Sequence, residues 1–362
     1  MRFIDIEIMN FRNISSQKVD TDCEDIVLLG LNGMGKTNFL EAIYTLCYGS
    51  SFKTSVLKET IQHKSPSFFL KADFVSDLGL KENISFFYDG VKRNIRLNDN
   101  EIKDRKELVS AFPCIIFSHE DLAFIRGEMS ERRRFFDQTM SLYLPSFLTL
   151  MRNYKNILLK RNMAIKSQEY MLLSIYDRKL ATLGFEIMSE RKKAVDEFNE
   201  IFPSLFEKIA GKNDLYISYM PSWSSAESAD DIAKILEEKR ETDKIMLTTT
   251  TGVHRDRFVI KDSNGNFVQS GSTGQLRLCS LIFRLAEARI FTKKSSRKPL
   301  LLLDDVLLEL DDEKRARFLD ELDSYSQAFF TFLPRENYFS DDKKNVRYFN
   351  VSNGEYRLEP VL

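Results

Sequence analysis

The chain has 362 residues, of which 43% are hydrophobic and 30% are charged, and its formal net charge is −1. These values are typical of a folded globular protein of one or two domains, and they exclude binding to a polyanion through overall charge alone. The four cysteines, Cys23, Cys47, Cys114 and Cys279, are widely spaced. This spacing excludes a zinc site of the usual kind, argues against a disulfide scaffold and favours a reducing compartment.

The N-terminal segment carries acids within its apolar run, which is unlike a signal peptide. No stretch approaches the roughly 18 uncharged apolar residues of a membrane-spanning helix. We therefore expect a chain that is not inserted into a membrane.

The first third of the chain has the pattern of several strands and one helix. Alternating apolar residues predict a strand over MRFIDIEIMNF, and DIVLLG predicts a short buried strand that ends at Gly30. The following segment, TNFLEAIYTLC, has helical spacing. Further strands are predicted by the patterns SPSFFLKADFVS, ISFFYDG, NIRLND and FPCIIFS.

From about residue 130 the pattern becomes helical and almost free of glycine. Strand patterns return in DLYISYMP and HRDRFVI, with a charged helix between them. Two buried strands, in KPLLLLDD and SQAFFTFLP, follow near the C terminus. The helical period is carried by Phe147, Leu150, Met151, Tyr154, Ile157 and Leu158.

The segment GLNGMGKT, between the second strand and the first helix, matches the phosphate-binding pattern G-x-x-x-x-G-K-[ST]. Gly30, Gly33 and Gly35 let the backbone wrap closely, so that its N–H groups point at phosphate oxygens. Lys36 is expected to reach the β- and γ-phosphates, and Thr37 to bind Mg²⁺. The alternative is a strand-to-helix turn with an incidental lysine. We predict further nucleotide contacts from Leu31, Asn32, Met34 and Asn38.

Two adjacent acids end the apolar strand LLLL. An apolar strand would deliver Asp304 to the carboxyl edge of the sheet, where Mg²⁺ is expected. Asp305 would then face the γ-phosphate and its attacking water, and we predict a catalytic role for it together with Lys36. Paired acids after a strand are often only a helix N-terminus, but the phosphate-binding pattern in the same chain favours the metal and catalytic roles.

A third segment, QSGSTGQLRLCSLIFRLAEARI, places Ser272, Gly274 and Gln275 before a helix. Alone, this pattern fits a flexible loop with a helix cap equally well. Its position between the phosphate-binding segment and the paired acids favours a functional role.

These segments together resemble ABC-type ATPases, and specifically the SMC-like RecF family. The resemblance is carried by NFRNI, GLNGMGKTNFLEAI, FSHEDLAFIRGEMSERRRFFD, GVHRDRF, STGQLR and LLLLDDVLLELDDEKRARFL, which occur in the family's order. It implies an α/β fold: an ABC-type P-loop ATPase head built from both ends of the chain, residues 1–125 and 250–362. A mainly helical arm, residues 126–249, would be inserted between them.

The resemblance also implies a function. In ABC-type enzymes the signature segment of one subunit completes the ATP site of another, so ATP and Mg²⁺ would join two copies into a homodimer that clamps DNA. Asp311 resembles the acid at that interface, and its alternative role is a helix N-cap. Because aspartate is shorter than glutamate, Asp305 predicts slow hydrolysis, and we expect a weak, DNA-dependent ATPase.

The implied setting is recombinational DNA repair in the cytoplasm, in association with the nucleoid. Duplex DNA next to single-stranded gaps is the expected substrate, and RecO and RecR are the implied protein partners. Arg12 and Asn13 lie in a region that contacts nucleotide in relatives, although an exposed strand end explains them equally well. Basic residues on the predicted arm could contact DNA, or could form a solvated helix face: Arg132, Arg133, Arg134, Arg152, Lys155, Lys160 and Arg161.

The resemblance leaves two short segments without an assigned role: Glu120–Asp121 and His254–Asp256. A P-loop kinase or other monomeric NTPase is the alternative function, and it would need no S-x-G-Q segment. A transporter ATPase would carry a histidine after the paired acids, where this chain offers only Thr331.

Overall fold

The computed structural model describes residues 1–211, 214–334 and 345–359. It divides into two compact units. Unit 1 comprises Met1–Glu120 and Ala288–Leu362, and unit 2 comprises Asp121–Glu287.

Unit 1 contains an antiparallel sheet with strand order β2-β1-β4-β5-β6-β7. Its strands alternate between buried and more exposed side chains, as expected when one face of a sheet packs on a core. On β4, for example, Phe68, Leu70, Ala72 and Phe74 are all buried. The strands are β1 Arg2–Phe11, β2 Ile14–Asp20, β4 Phe68–Val75, β5 Lys81–Tyr88, β6 Arg93–Leu97 and β7 Asn100–Glu101.

The second sheet of unit 1 has the order β15-β14-β3-β13-β12-β8, in which β14, β3, β13, β12 and β8 run parallel. Every residue of β12 and β13 is buried, as is typical of a parallel sheet covered on both faces. The carboxyl ends of β3 and β12 therefore meet at one edge. The strands are β3 Asp25–Leu29, β8 Cys114–Phe117, β12 Leu300–Leu303, β13 Gln327–Phe332, β14 Val346–Ser352 and β15 Glu355–Leu358.

Unit 2 is built on a pair of long helices, of 22 and 38 residues, joined by a short connection. A small antiparallel sheet of order β11-β10-β9 packs with them. Its strands are β9 Tyr216–Met220, β10 Arg257–Asp262 and β11 Gly265–Asn266. A cluster of aromatic rings, including Phe135, Phe136, Phe198 and Phe283, fills its core.

The helices follow the periodicity of the sequence, and none of those described is long and apolar enough to cross a membrane. The helices are α1 Lys36–Tyr48, α2 Arg105–Ala111, α3 Leu122–Arg126, α4 Met129–Tyr143, α5 Pro145–Lys166, α6 Leu173–Ala210, α7 Ala229–Glu238, α8 Arg240–Met246, α9 Phe267–Ser270, α10 Thr273–Ser295 and α11 Asp312–Asp320. Short 3-10 helices lie at Leu57–Thr60, His119–Asp121, Tyr170–Leu172, Val253–Arg255 and Val306–Glu309.

The strands predicted from the sequence are all present, and the predicted charged helix is two helices, α7 and α8. The sequence patterns did not predict β2, β14, β15 or the two-residue strands β7 and β11. In β2 only Ile14 and Val19 are buried, so the strand carries almost no apolar alternation.

Candidate nucleotide-binding site

The glycine-rich segment connects β3 to α1 at the carboxyl edge of the parallel sheet. Two of its glycines are required by their surroundings. A Cβ on Gly30 would lie 2.6 Å from the carbonyl oxygen of Val351, and one on Gly35 would lie 3.0 Å from the side chain of Asn13. Gly35 also has a φ of +118°, which residues with a side chain rarely adopt.

Side chains and backbone from two other segments hold the loop in shape. The Met34 carbonyl accepts hydrogen bonds from the Gly354 N–H at 2.8 Å and from Asn13 Nδ2 at 3.3 Å. The Gly35 carbonyl accepts one from the Tyr356 hydroxyl at 2.8 Å. Because the C=O and N–H of one peptide point in opposite directions, fixing these carbonyls also fixes the direction of the N–H groups that follow them.

The ammonium group of Lys36 lies inside this loop and is 3% exposed. Its Nζ donates to the Gly30 carbonyl at 2.7 Å and lies 3.7 Å from Oδ2 of Asp305. The loop thus holds a buried cation next to one of the two predicted acids.

The other acid, Asp304, lies next to the threonine of the loop. Thr37 Oγ1 donates to Asp304 Oδ1 at 2.7 Å. Burial raises the pKa of Asp304, and the neighbouring Asp305 carboxylate adds to this effect, while the Thr37 hydrogen bond opposes it. A nearby cation would therefore stabilise the ionised carboxylate.

This hydroxyl–carboxylate pair fits Mg²⁺, which prefers hard oxygen ligands and in nucleotide sites takes few of them from the protein. Among the described residues there is no cluster of three or more His, Cys, Asp or Glu side chains that could hold a metal. A site of this kind would thus complete its coordination with phosphate oxygens and water.

Asp305 is held by a residue that sequence analysis did not assign to the site. The hydroxyl of Thr331, on β13, accepts from the Asp305 N–H at 2.7 Å and donates to Asp305 Oδ1 at 2.8 Å. Asp305 itself has a φ of +53°, in the left-handed region that is uncommon for residues other than glycine. Strained backbone of this kind is often found at functional sites.

An open pocket of about 230 Å³ lies against the loop. Its lining includes Lys53, an exposed lysine after α1 that sequence analysis also missed. Nothing in the local pattern around Lys53 distinguishes it from other surface lysines. The pocket is lined by Leu31, Asn32, Gly33, Gly35, Lys36, Thr37, Asn38, Lys53 and Asp305.

Arg12 and Asn13 brace the loop and its helix. The Arg12 guanidinium donates to the buried carboxylate of Glu41 at 2.7 and 2.9 Å. Asn13 accepts from Asn38 Nδ2 at 2.8 Å. In the structure these two residues therefore contact α1 and the loop, and they are not among the residues that line the pocket.

The S-x-G-Q segment lies in unit 2 and forms the N-terminus of α10. The Gln275 N–H donates to Ser272 Oγ at 3.3 Å, and the Ser272 N–H donates to Gln275 Oε1 at 2.8 Å. This is the reciprocal arrangement of a capping box. Ser272, Thr273 and Gly274 are exposed, and Arg126 donates to the Thr273 hydroxyl at 2.9 Å.

Asp311 is the N-cap of α11. Its Oδ1 accepts from the Lys314 N–H at 2.9 Å, and its other oxygen pairs with the Lys314 ammonium. These bonds to Lys314 lower the pKa of the exposed Asp311 carboxyl. The alternative role considered for Asp311 is therefore present in the structure.

Two of the arm residues predicted to contact DNA are buried, so the prediction is corrected for them. Arg132 is 5% exposed and donates to the carbonyls of Phe124, Ile125 and Phe258. Arg161 is 0% exposed and pairs with two buried aspartates. A charge pattern along one helix cannot reveal such partners, since they come from distant segments.

The other five predicted residues differ in their exposure. Arg133 is half-buried and donates to the Asp256 carbonyl at 2.8 Å. Arg134 is exposed, with Glu131 3.7 Å away. Arg152, Lys155 and Lys160 lie on the exposed side of α5.

The two segments without an assigned role have structural partners. Asp256 is buried and accepts from Arg191 at 2.8 Å, Tyr219 at 2.5 Å and the Ser222 N–H at 2.7 Å. Asp121 accepts from Arg284 at 2.7 Å.

The fold and the site define a class of protein. The head of an ABC-type P-loop ATPase combines a buried parallel strand, a glycine-rich loop and a helix that begins at a lysine. Paired acids follow a neighbouring strand of the same sheet. The RecF/RecN/SMC N terminal domain family matches residues 3–357.

Comparison with individual relatives identifies the family within this class. The DNA replication and repair protein RecF of Treponema pallidum is 36% identical over 346 residues, which are 96% of this chain and 98% of that protein. A solved structure of the recombination mediator protein RecF with ATP, in the RecFOR pathway, has a TM-score of 0.89 at 27% identity, covering 99% of this chain and 98% of that one. An Smc head bound to the C-winged helix domain of ScpA has a TM-score of 0.57 at 14% identity, with 99% and 98% covered, and shares the fold.

The chain belongs to the RecF family. The predicted family and the predicted α/β head with its helical arm are thereby confirmed.

Proposed function

We propose that this chain binds ATP and Mg²⁺, hydrolyses ATP slowly, and acts as an ATP-dependent DNA clamp in recombinational repair. The observation that carries the proposal is the group of four side chains at the end of β3 and β12. Thr37 Oγ1 lies 2.7 Å from Asp304 Oδ1, and Lys36 Nζ lies 3.7 Å from Asp305 Oδ2. A kinase of small molecules would also need such a loop, but it would not need the S-x-G-Q segment.

Each side chain would have a separate role. Lys36 would exchange its bond to the Gly30 carbonyl for phosphate oxygens, a change that keeps the buried ammonium paired. Thr37 and Asp304 would hold Mg²⁺, which neutralises charge on the phosphates. Asp305 would orient the attacking water, and Thr331 would hold the Asp305 carboxylate in place.

Formation of a homodimer is supported by the exposure of the S-x-G-Q segment. Ser272 and Gly274 are exposed at the N-terminus of a helix of 23 residues. The N–H groups and partial positive charge of such an end stabilise a phosphate. We propose that this segment of one copy, with Ser272 as the N-cap and Gln275 as its capping-box partner, completes the ATP site of another. Asp311, which follows the paired acids in the sequence, would lie at the same interface.

DNA is proposed as the partner because the relatives are DNA replication and repair proteins. Five of the predicted residues remain candidates for phosphate contacts: Arg133, Arg134, Arg152, Lys155 and Lys160. Since the net charge of the chain is −1, binding should be weak and sensitive to salt unless two copies combine their patches. RecO and RecR are proposed as protein partners, in keeping with the RecFOR pathway named for the solved relative.

Nucleotide binding can be tested by titrating ATP and Mg²⁺ into wild-type protein and a Lys36→Ala variant, with calorimetry as the readout. Loss of a charged hydrogen bond costs roughly 1.5–3 kcal/mol, so the affinity should fall at least about tenfold. Lys192→Ala, which removes an exposed lysine of α6, is the matched control and should bind as wild type does. Equal affinity of the Lys36→Ala variant would contradict the proposal.

A further inference from the structure

The end of the α5–α6 helix pair exposes an unusual concentration of large apolar side chains. Of the 19 large hydrophobic residues that are exposed in the described part of the chain, nine lie within residues 159–175 and 245–247. Met171 is 93% exposed and Ile245 is 81% exposed. We call this set the tip surface: Leu159, Met163, Tyr170, Met171, Leu172, Ile175, Ile245, Met246 and Leu247.

The tip surface stands on a rigid base, so its exposure does not reflect a frayed helix end. Buried Arg161, on α5, donates to Asp177 of α6 at 2.7 Å and to Asp243 of α8 at 2.7 Å. Arg240, on α8, lies 2.8 Å from the same Asp177. This network ties all three helices together, and Lys244 lies 4.5 Å above the ring of Tyr170.

One residue of the tip surface is held in a strained conformation. Leu247 ends α8 with a φ of +53°, and its N–H donates to the Asp243 carbonyl. Glycine is the residue that usually occupies this position after a helix, because a Cβ is disfavoured in the left-handed region. Leu247 is 54% exposed, so burial of its side chain adds little to the stability of the fold. We therefore infer that the leucine serves a role other than folding.

The surroundings of the tip surface are positively charged. Between residues 155 and 179 the exposed charged residues are five cations and one acid, Glu169. The exposed acids Glu237 of α7 and Glu241 of α8 are paired with Arg240 and Lys244 of α8. The cations are Lys155, Lys160, Lys166, Arg178 and Lys179.

We propose that the tip surface is a docking site for an acidic amphipathic helix of a partner protein. The apolar side chains would receive the apolar face of such a helix. Lys166, Arg178 and Lys179, which are not among the proposed DNA contacts, would pair with its acids. Met163, Met171 and Met246 supply the adaptable contacts that helix-binding surfaces often use. A second copy of this chain would bring like charges together, which disfavours self-association through this surface. Binding to an anionic membrane is the alternative that the vesicle experiment below tests.

The proposal can be tested with a fluorescein-labelled helical peptide of about 20 residues, with leucines on one face and glutamates on the other. Fluorescence anisotropy with the full chain should give saturable binding. A Met171→Ser, Ile245→Ser, Met246→Ser triple variant should bind at least about tenfold more weakly, since removing apolar anchors from an interface has this effect. A Leu78→Ser, Val91→Ser variant changes comparably exposed residues in unit 1 and should bind as wild type does.

Two further experiments distinguish an acidic helix from a membrane as the ligand of the tip surface. The same peptide with lysine in place of glutamate should bind poorly, and flotation with phosphatidylglycerol vesicles should leave the protein unbound. The proposal is overturned if the peptide does not bind at about 100 µM, if both variants bind equally, or if the triple variant loses vesicle binding or self-association instead.

Leu247 provides a test that separates binding from stability. Leu247→Gly relieves the left-handed strain, so the Tm should rise by about 1–3 °C, while peptide affinity should fall. A merely structural leucine would give the opposite pattern, with a lower Tm and unchanged affinity.

Discussion

The most informative single residue of the site is Asp305, because its backbone strain and its hydrogen bonds both depend on neighbours. Thr331 bonds to the Asp305 N–H and to its carboxylate at the same time. Neither bond is visible in the sequence, where Thr331 lies 26 residues away on a strand of mostly apolar residues. The position of the proposed catalytic acid therefore depends on β13 as well as on β12.

We predict that Thr331→Val lowers the turnover of ATP about tenfold and leaves nucleotide affinity nearly unchanged. The valine keeps the volume but removes a hydroxyl, so the Asp305 N–H loses its partner and the carboxylate can rotate away from the water. Steady-state hydrolysis and an ATP titration measure the two effects. Thr331→Ser, which keeps the hydroxyl, should retain most of the turnover, and a loss as large as that of valine would contradict this role.

A second residue-scale prediction concerns His254. Burial lowers its pKa to about 4, and the nearby Arg255, Arg133 and Arg191 add to this effect, although a bond to the Thr249 carbonyl opposes it. Because the pKa in the folded state lies below the unfolded value of about 6.5, the neutral ring stabilises the fold above pH about 6.5. This contribution is lost as the pH falls towards about 4.

Unfolding by urea at several pH values measures this effect. Between pH 7 and pH 5 wild type should lose about 2 kcal/mol more stability than a His254→Asn variant. His63→Asn, at an exposed histidine, should show the same pH dependence as wild type. A His254→Asn variant with an unchanged pH dependence would show that the histidine is not buried in its neutral form.

At the scale of elements, the hairpin of β14 and β15 determines the shape of the phosphate-binding loop. Val351 contacts Gly30 closely, Gly354 donates to Met34 and Tyr356 donates to Gly35. The last of these contacts spans 321 residues of chain. The hairpin therefore fixes the carbonyl groups of Met34 and Gly35. Because each carbonyl shares a peptide plane with the following N–H, the hairpin also orients N–H groups of the loop that would bind phosphate.

We predict that Tyr356→Phe weakens ATP binding about three- to tenfold, because losing a neutral hydrogen bond costs roughly 0.5–1.5 kcal/mol and frees the Gly35 peptide to rotate. The ring remains packed on Phe39, so the stability of the chain should change little. Calorimetric titration and thermal unfolding measure the two quantities. Weaker stability with unchanged ATP affinity would mean that the hydroxyl supports the fold and not the loop.

Local patterns were sufficient to predict β3, α1 and β12, since each is apolar, short and bounded by glycine or acids. The same patterns carried the phosphate-binding loop and the paired acids. They could not predict β14 and β15, in which only Phe349, Val351 and Tyr356 are buried apolar residues. Nor could they show that Arg132 and Arg161 are buried, because the partners that make this burial favourable come from other segments of unit 2.

At the scale of the whole molecule, the proposed function requires two copies. Each chain carries one phosphate-binding loop and one S-x-G-Q segment. The S-x-G-Q segment is exposed at the N-terminus of α10. A site completed across two copies would link nucleotide binding to dimer formation, and hydrolysis would then release the clamp. The tip surface belongs to a different region of the chain, so its occupant could bind without blocking this step.

The most direct test of the proposed ATP-dependent dimer is the molar mass of an Asp305→Asn variant, measured by light scattering with and without ATP and Mg²⁺. The variant should bind ATP and hydrolyse it poorly, so its mass should double only with nucleotide. Adding Ser272→Arg, which places a bulky cation at the N-terminus of α10, should abolish the doubling without abolishing ATP binding. A variant that binds ATP and stays monomeric would contradict the proposed clamp.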